Sequence, residues 1–543
     1  MDSGLGDALA ALRDEWRLDF RLVERVLAAL AEPVTLTAAV ERSGASRAQV
    51  LAVLDTLGPA VRTDGDRRSL VAAVPARAAP DPAALLDAVR SIAAGLPPSR
   101  WSLDHVPATP ETIADRALHL ARTYALAGRT VLCVGDHDLT SVAVTLAEPA
   151  ARALVVDVDE RLLEFLGAVA AERGLPIVTA FADLRVGLPR SLAGRADLAV
   201  TDPPYTPAGV ALFVRRALDG LDRTGHERVV LAYGFADGQL TRGFRTQSVL
   251  HELRLVVEAL LPGFNRYAGA EAIGSVSDLY ALRPTRWTWS TVDRAGPDET
   301  RIYTRGVAAE EAADPAPAPE VLAAVRTALG AAPSTVDLVG PGWPAAWGGG
   351  RDLAELVRPD PEARAARHRP LAVNLTAHSG ALLPRVLIVA AGRPVVVVAA
   401  PRDIRSTGVT DPSDPVGALL ARLRRTTTVH SGQSSVLVST PLPAESDVDG
   451  VLAYLAAHPA ATLLNAWRDA LLGLARRRGT ALTKNEARAL ARGSGIPAGA
   501  LELRLTELPR GQLARLLDAA RASVAALRDQ CGVHGPRPAG SGR

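Results

Sequence analysis

Cysteine is nearly missing from this chain: its 543 residues include two, Cys133 and Cys531. Cys133 falls in a predicted buried strand and Cys531 in a predicted tail. A disulfide framework is therefore excluded, and a cytoplasmic location is expected. The few histidines and cysteines show no zinc spacing, so no metal is expected. Lysine is scarcer still. Lys484 is the only one, and arginine supplies the other basic side chains. No apolar run of about 18 residues is free of charges or turn residues, which excludes a membrane-spanning helix. The N-terminal stretch MDSGLGDALAALRDEW has early acids and lacks the basic-then-apolar pattern of a secretory signal. A formal net charge of +2 excludes a bulk nucleic-acid binder, although a local patch remains compatible with it.

What is present is enough apolar material, 48% of residues, for ordinary packed cores. The length is too great for one core, so about three or four domains are expected. Residues 1–75 read as a winged-helix domain. RLDFRLVERVLAAL and TLTAAVERSG have helical spacing, and SRAQVLAVLDTLG opens on Ser46 as a helix cap. AVRTDGDRRSLVAAV then alternates around an Asp-Gly turn, as a wing does. The third helix offers only Arg47 and Gln49 as long polar groups near its start, so docking competes with DNA binding as its role. Residues 76–110 read as a connector and 291–320 as a linker, with an acidic, Pro/Ala-rich stretch over 308–320. Residues 321–479 read as a mixed α/β domain, with strands in RPLAVNLTA, RVLIVAAGRPVVVVAAP and SSVLVSTP and a hairpin turn near Gly392. Residues 480–530 read as helical and 531–543 as a disordered tail.

Residues 111–290 alternate strand and helix, the pattern of an α/β, doubly wound, Rossmann-like domain. Its first four strands end in or beside carboxylates. TVLCVG leads into Gly135, Asp136, His137 and Asp138. ALVVDVD ends in Asp157 and Asp159, IVTAFAD in Asp183, and ADLAVTD in Asp202 before PPYTPAG. Ligands bind beyond the carboxyl ends of such strands, so these acids should converge on one crevice. Each acid has a plainer role open to it. Asp136, Asp138 and Asp159 could cap helices, and Asp183 and Asp202 could form turns. Asp157 sits where ribose hydroxyls are commonly held.

The loop after the first strand usually offers bare backbone to a cofactor. Two aspartates there would repel the carboxylate of S-adenosylmethionine. They suit a ligand ending in an ammonium. One such pair at about 4 Å and an effective dielectric of about 20 gains roughly 4 kcal/mol before desolvation. Decarboxylated S-adenosylmethionine has such a tail, and polyamines are cationic as well.

GDHDLTSVAVTLA, VVDVDERLLEFL, ADLAVTDPPYTPAG and FNRYAGAEAIGSVSDL resemble the branched-chain polyamine synthases. The resemblance covers residues 15–290 and departs from the family at His137, where an acid is usual. It implies an aminopropyltransferase with decarboxylated S-adenosylmethionine as co-substrate and no tightly bound cofactor. Gly135, Asp136 and Asp138 would then hold the donor tail, with Asp157 on the ribose and Asp183 on the adenine. Asp202 would orient and deprotonate the acceptor amine, Tyr205 would wall its pocket, and Asn265, Tyr267 and Glu271 would close over it. The implied partners are a polyamine substrate, no nucleic acid, no membrane and, as a candidate, a second copy of the chain. Residues 321–543 lie beyond the resemblance and are expected to be dispensable for the chemistry.

Two rivals stand beside this reading. TDPPY also resembles the motif of amino methyltransferases acting on nucleic-acid bases. A non-catalytic sensor of polyamines or nucleosides is the other.

Overall fold

Three β-sheets, each with its own helices, organise the chain in a computed structural model. The structure describes residues 3–533 apart from 76, 78, 270, 272, 273, 295–300, 305–315, 331, 360–368 and 391. Most of the linker expected over 308–320, and the tail beyond 533, fall outside the described residues.

The N-terminal unit pairs β1 (Val34–Thr35), β2 (Val61–Asp64) and β3 (Arg67–Leu70) in the order β1-β3-β2 beside four helices. The turn from β2 to β3 holds Gly65 at φ +60°, the left-handed conformation that favours glycine there. Helix Arg47–Leu57 starts on a reciprocal cap in which Gln49 N–H donates to Ser46 and Ser46 N–H donates to the Gln49 side chain. Leu5, Leu12, Val23, Val26, Val50 and Val53 meet in a core of their own.

The middle unit is a seven-stranded sheet of β4 (Thr130–Val134), β5 (Arg152–Asp157), β6 (Ile177–Phe181), β7 (Leu198–Thr201), β8 (Arg228–Tyr233), β9 (Val256–Arg266) and β10 (Val276–Arg283). The order is β6-β5-β4-β7-β8-β10-β9. β4 through β8 run parallel, β10 lies antiparallel to β8, and the edge strand β9 lies antiparallel to β10. The expected doubly wound arrangement is present, and the order reverses beside β4, between β5 and β7. That reversal opens a crevice at the carboxyl ends of the strands. Val131, Leu132, Val134, Leu154, Val155 and Val156 are buried on both faces, which is why these strands read as continuous apolar runs.

The stretch expected to be a mere connector contributes more. Helix Pro82–Ala93 is capped by Asp81 and packs Leu85, Val89 and Ile92 into the core of the middle unit. Residues 99–107 then run along the crevice.

The third sheet holds β11 (Asp337–Val339), β12 (Leu371–Asn374), β13 (Val395–Ala399), β14 (Arg424–Ser431) and β15 (Ser435–Pro441), ordered β11-β12-β13-β15-β14. One expectation fails here. RVLIV lies in a helix, Leu382–Val389, so Gly392 turns a helix into β13 rather than closing a hairpin. Leu382, Leu383, Val386, Leu387 and Ile388 are all buried, and a short apolar run buried on every side carries no period to tell helix from strand. β14 was not foreseen, because RRTTTVHS lacks apolar alternation. The last helix, Arg510–Val533, runs into the stretch expected to be tail.

The extension and the middle unit share one core, running from Leu18 to Leu527. Arg385 stacks its guanidinium 3.4 Å from the Phe181 ring centroid and lies 2.7 Å from the Glu160 carboxylate. Arg510 N–H donates to the same Glu160 at 2.8 Å. Gly499 lies so close to β6 that a Cβ would sit 2.6 Å from Val178. The edge of the sheet at β6 is thus covered by the extension.

Candidate active site

A cleft of about 600 Å³ opens at the carboxyl ends of β4, β5 and β7. Gly135, Asp136, His137, Asp138, Asp157, Asp202, Tyr205, Tyr267 and Glu271 all border it. The acid loop is held by unusual backbone. Gly135 has φ +73°, and Leu139, which precedes helix Thr140–Ala147, has φ +53°. A left-handed leucine costs roughly 1–2 kcal/mol, a strain typical of ligand-binding turns.

The acids behave differently from one another. Asp136 is fully buried, and its carboxylate accepts from the N–H and the hydroxyl of Ser141. Burial, with the charge of Asp138 behind it, pushes the Asp136 carboxyl well above the usual range. Asp136 thus braces the loop through Ser141 while bordering the cleft. Asp157 accepts from the N–H groups of Asp159 at 2.8 Å and Asp136 at 3.3 Å. Burial still lifts it to about 6. Asp159 has the plainer of its roles, capping helix Glu160–Arg173 and pairing with Arg161.

Asp183 does not border the cleft; its neighbour Leu184 does. The Asp183 carboxylate pairs with Arg185 at 2.6 Å and accepts from Ser379 N–H of the extension at 3.3 Å.

Asp202 follows β7. One of its oxygens accepts from Tyr205 at 3.0 Å and the other from Tyr267 at 2.6 Å. Tyr267 also lies 2.8 Å from the Ser277 hydroxyl of β10. Burial raises Asp202 to about 6, helped by the charge of Asp138, while Arg116, Tyr267 and Tyr205 oppose the rise. Asn265 is fully buried behind the cleft, where its amide N–H groups donate to Ser277 and the Asp278 carbonyl. Its part is structural support rather than closure over a ligand. Glu271 stands exposed on the rim.

Sequence reasoning missed several residues. Arg116, on helix Pro110–Thr123, is 1% exposed and forms an ion pair with Asp138. Its signal was an arginine on the buried stripe of Ile113, Ala117 and Leu120. His105 and His137 lie against each other with ring centroids 4.5 Å apart, and burial pushes both down to about 4. Tyr303 and Thr304 also reach the cleft from the expected linker, where Thr304 donates to Asp104.

The family model of the branched-chain polyamine synthase A C-terminal domain matches residues 84–293. Over these residues the chain is similar to the branched-chain polyamine synthases. The chain is 32% identical over 187 residues to an N(4)-bis(aminopropyl)spermidine synthase of Thermococcus kodakarensis, covering 34% of this chain and 52% of that one. It is 34% identical over 199 residues to an uncharacterized protein of Methanocaldococcus jannaschii, covering 36% of this chain and 50% of the other. It spans about half the length of these curated relatives. The solved branched-chain polyamine synthase of Thermus thermophilus, in complex with N4-aminopropylspermidine and 5'-methylthioadenosine, is similar at 25% identity. That similarity covers 58% of this chain and 99% of the other, with a TM-score of 0.35. The family segment takes in the helix and cleft-lining stretch of residues 84–110 as well as the Rossmann-like sheet.

Proposed function

We propose that the chain transfers the aminopropyl group of decarboxylated S-adenosylmethionine to an amine of a polyamine. Asp202 carries this reading. It is a half-buried carboxylate fixed by two tyrosines, it faces the same cleft as Asp138 and Asp157, and it lies within the segment matched by the family model. Asp157 takes the ribose and Asp138 the aminopropyl ammonium. The acceptor nitrogen attacks the carbon next to the sulfonium, the new C–N bond forms as the C–S bond breaks, and methylthioadenosine leaves with the electron pair. Alignment of the two reactants supplies most of the rate. An acceptor ammonium near pKa 10 must first lose a proton. A carboxylate raised to about 6 is a stronger base than an ordinary one, and it orients the amine for that loss.

The N-terminal unit fits a winged-helix docking module better than a DNA reader. Gln49 is engaged in its helix cap. Asp19, from the turn between its first two helices, bonds to Arg228, and Arg21, in the first turn of the second helix, bonds to the Tyr124 and Ala121 carbonyls of the middle unit.

Mass spectrometry of reactions with each donor and a polyamine panel tests the proposal. Aminopropylated polyamine formed from decarboxylated S-adenosylmethionine supports it. Methylated product formed from S-adenosylmethionine overturns it.

A further inference from the structure

Arg116 enters the cleft wall from behind. Helix Pro110–Thr123 begins at Thr109, whose hydroxyl accepts from Thr112 N–H. The Thr112 hydroxyl in turn accepts from Arg266 N–H at the end of β9. This tie sets Arg116 beside Asn265 and between the acid loop and β7. Its Nη1 pairs with Asp138 and donates to Thr140 at 3.1 Å. Its Nη2 donates to the Asn265 side-chain oxygen at 2.9 Å and lies 3.5 Å from Asp202. One planar guanidinium thus spans both carboxylates, with a neutral acceptor beside each to fix its plane. A lysine could not do this, because its ammonium is a point charge rather than a fork.

We propose that Arg116 is the positioning residue of the reaction, holding Asp138 on the donor side and Asp202 on the acceptor side of one cleft. The inference rests on the aminopropyl-transfer reading for what each carboxylate binds. Without the cation, Asp138 and Asp202 would face each other in one largely desolvated cleft wall, with Asp136 behind the first. Two like charges in such a place do not both stay ionised. The groups facing Asp202 are Arg116 from its helix, Asp138 from the acid loop, Tyr205 from its own loop, and Tyr267 from the segment after β9. Of these, Arg116 is the only cation that reaches it among the described residues. Removing it leaves the Asp138 charge unopposed, and Asp202 then holds its proton to higher pH.

The experiment compares pH profiles of kcat for the full chain and for R116Q, R116K and R116Q/D138N. R116Q should move the acid limb up by about one to three pH units, the usual effect of one close opposite charge. Part of its lost turnover should return in alkaline buffer. R116K should shift the limb by less than half as much. R116Q/D138N, which lacks both the cation and the opposing anion, should bring the limb back toward the wild-type position, although its turnover stays low. A fall in kcat that is equal at every pH, with the limb unmoved, overturns the proposal, as does a double variant whose limb stays with that of R116Q. If R116Q does not fold, R116K and the double variant carry the same comparison. Absence of aminopropyl transfer by the wild-type chain would count against the reading of function instead. In that case carbon-13 NMR of aspartate-labelled protein, with D202N to assign the signal, follows the Asp202 titration directly. A midpoint unchanged by R116Q would overturn the role of Arg116.

Discussion

The Tyr267 phenol donates to the Asp202 carboxylate at 2.6 Å, across 65 residues of sequence. The same hydroxyl lies 3.0 Å from that of Tyr205, which holds the other oxygen of Asp202. A hydrogen bond to a charged group contributes about 1.5–3 kcal/mol. Tyr267→Phe should therefore lower turnover by about 10- to 100-fold. The bond lowers the pKa of Asp202, so its loss should also move the acid limb of the rate profile upward. Steady-state rates across pH check both effects.

Asp202→Asn keeps the shape and an acceptor oxygen but removes charge and basicity. Turnover should fall by about two to four orders of magnitude, the range for a lost acid–base group. Donor affinity should barely change, because Asp138 and Asp157 hold the donor. Single-turnover kinetics and calorimetry measure the two separately. Near-normal turnover with a polyamine acceptor would remove Asp202 from its role.

The two aspartates of the acid loop should separate in the same calorimetric assay. Asp138→Asn should weaken binding of decarboxylated S-adenosylmethionine by about tenfold or more, the effect of roughly 1.4 kcal/mol. Asp136→Asn keeps an oxygen for the Ser141 donors and should leave affinity within a few-fold. Equal losses at the two positions would assign Asp136 the same direct contact with the donor as Asp138.

The convergence of the strand-end acids was legible because a parallel sheet with alternating helices allows few other placements for Asp138, Asp157 and Asp202. Their individual roles were not legible. Whether a carboxylate turns to the cleft or to a neighbour depends on partners far away in sequence, such as Ser379 for Asp183 and Arg116 for Asp138. The helix containing RVLIV was misread as strand because uniform burial erases periodicity. The packing of the extension left no local signal, since Arg385 and Gly499 look like ordinary helix residues until β6 lies beneath them.

Asp183 offers a test of stability rather than chemistry. Burial alone would raise its carboxyl, but the charge and hydrogen bonds of Arg185, with the His378 ring 3.7 Å away, hold it well below the usual range. A depressed carboxyl contributes stability that is fully present above about pH 4, the unfolded value, and is lost as pH falls further. Asp183→Asn should destabilise the chain at neutral pH by about 3–5 kcal/mol, because Arg185 is left buried and unpaired. The deficit against wild type should shrink in acid. Denaturant melts at several pH values read this, and donor affinity at neutral pH should be retained.

A chain ending near residue 305 would bare Phe181, Val178 and Glu160 together. It should melt at a lower temperature than the full chain and associate through the uncovered β6 edge. Thermal unfolding and light scattering check this. A shortened chain as stable and monodisperse as the full one would overturn this stabilising role of the extension.

The pairing of Glu160 with Arg510 also sets an order of events. The two residues are 350 positions apart, and the Arg195–Glu502 ion pair spans 307. Synthesis proceeds at about 5–20 residues per second, and domains generally fold from the N-terminus as they emerge. Here the Rossmann-like sheet can form long before the helix that seals its edge exists. For that interval, on the order of ten seconds or more at those rates, β6 is an open strand on a nascent chain. The growing polypeptide is therefore most exposed to misassociation while the cleft residues are already in place and the residues beyond 500 are still unmade.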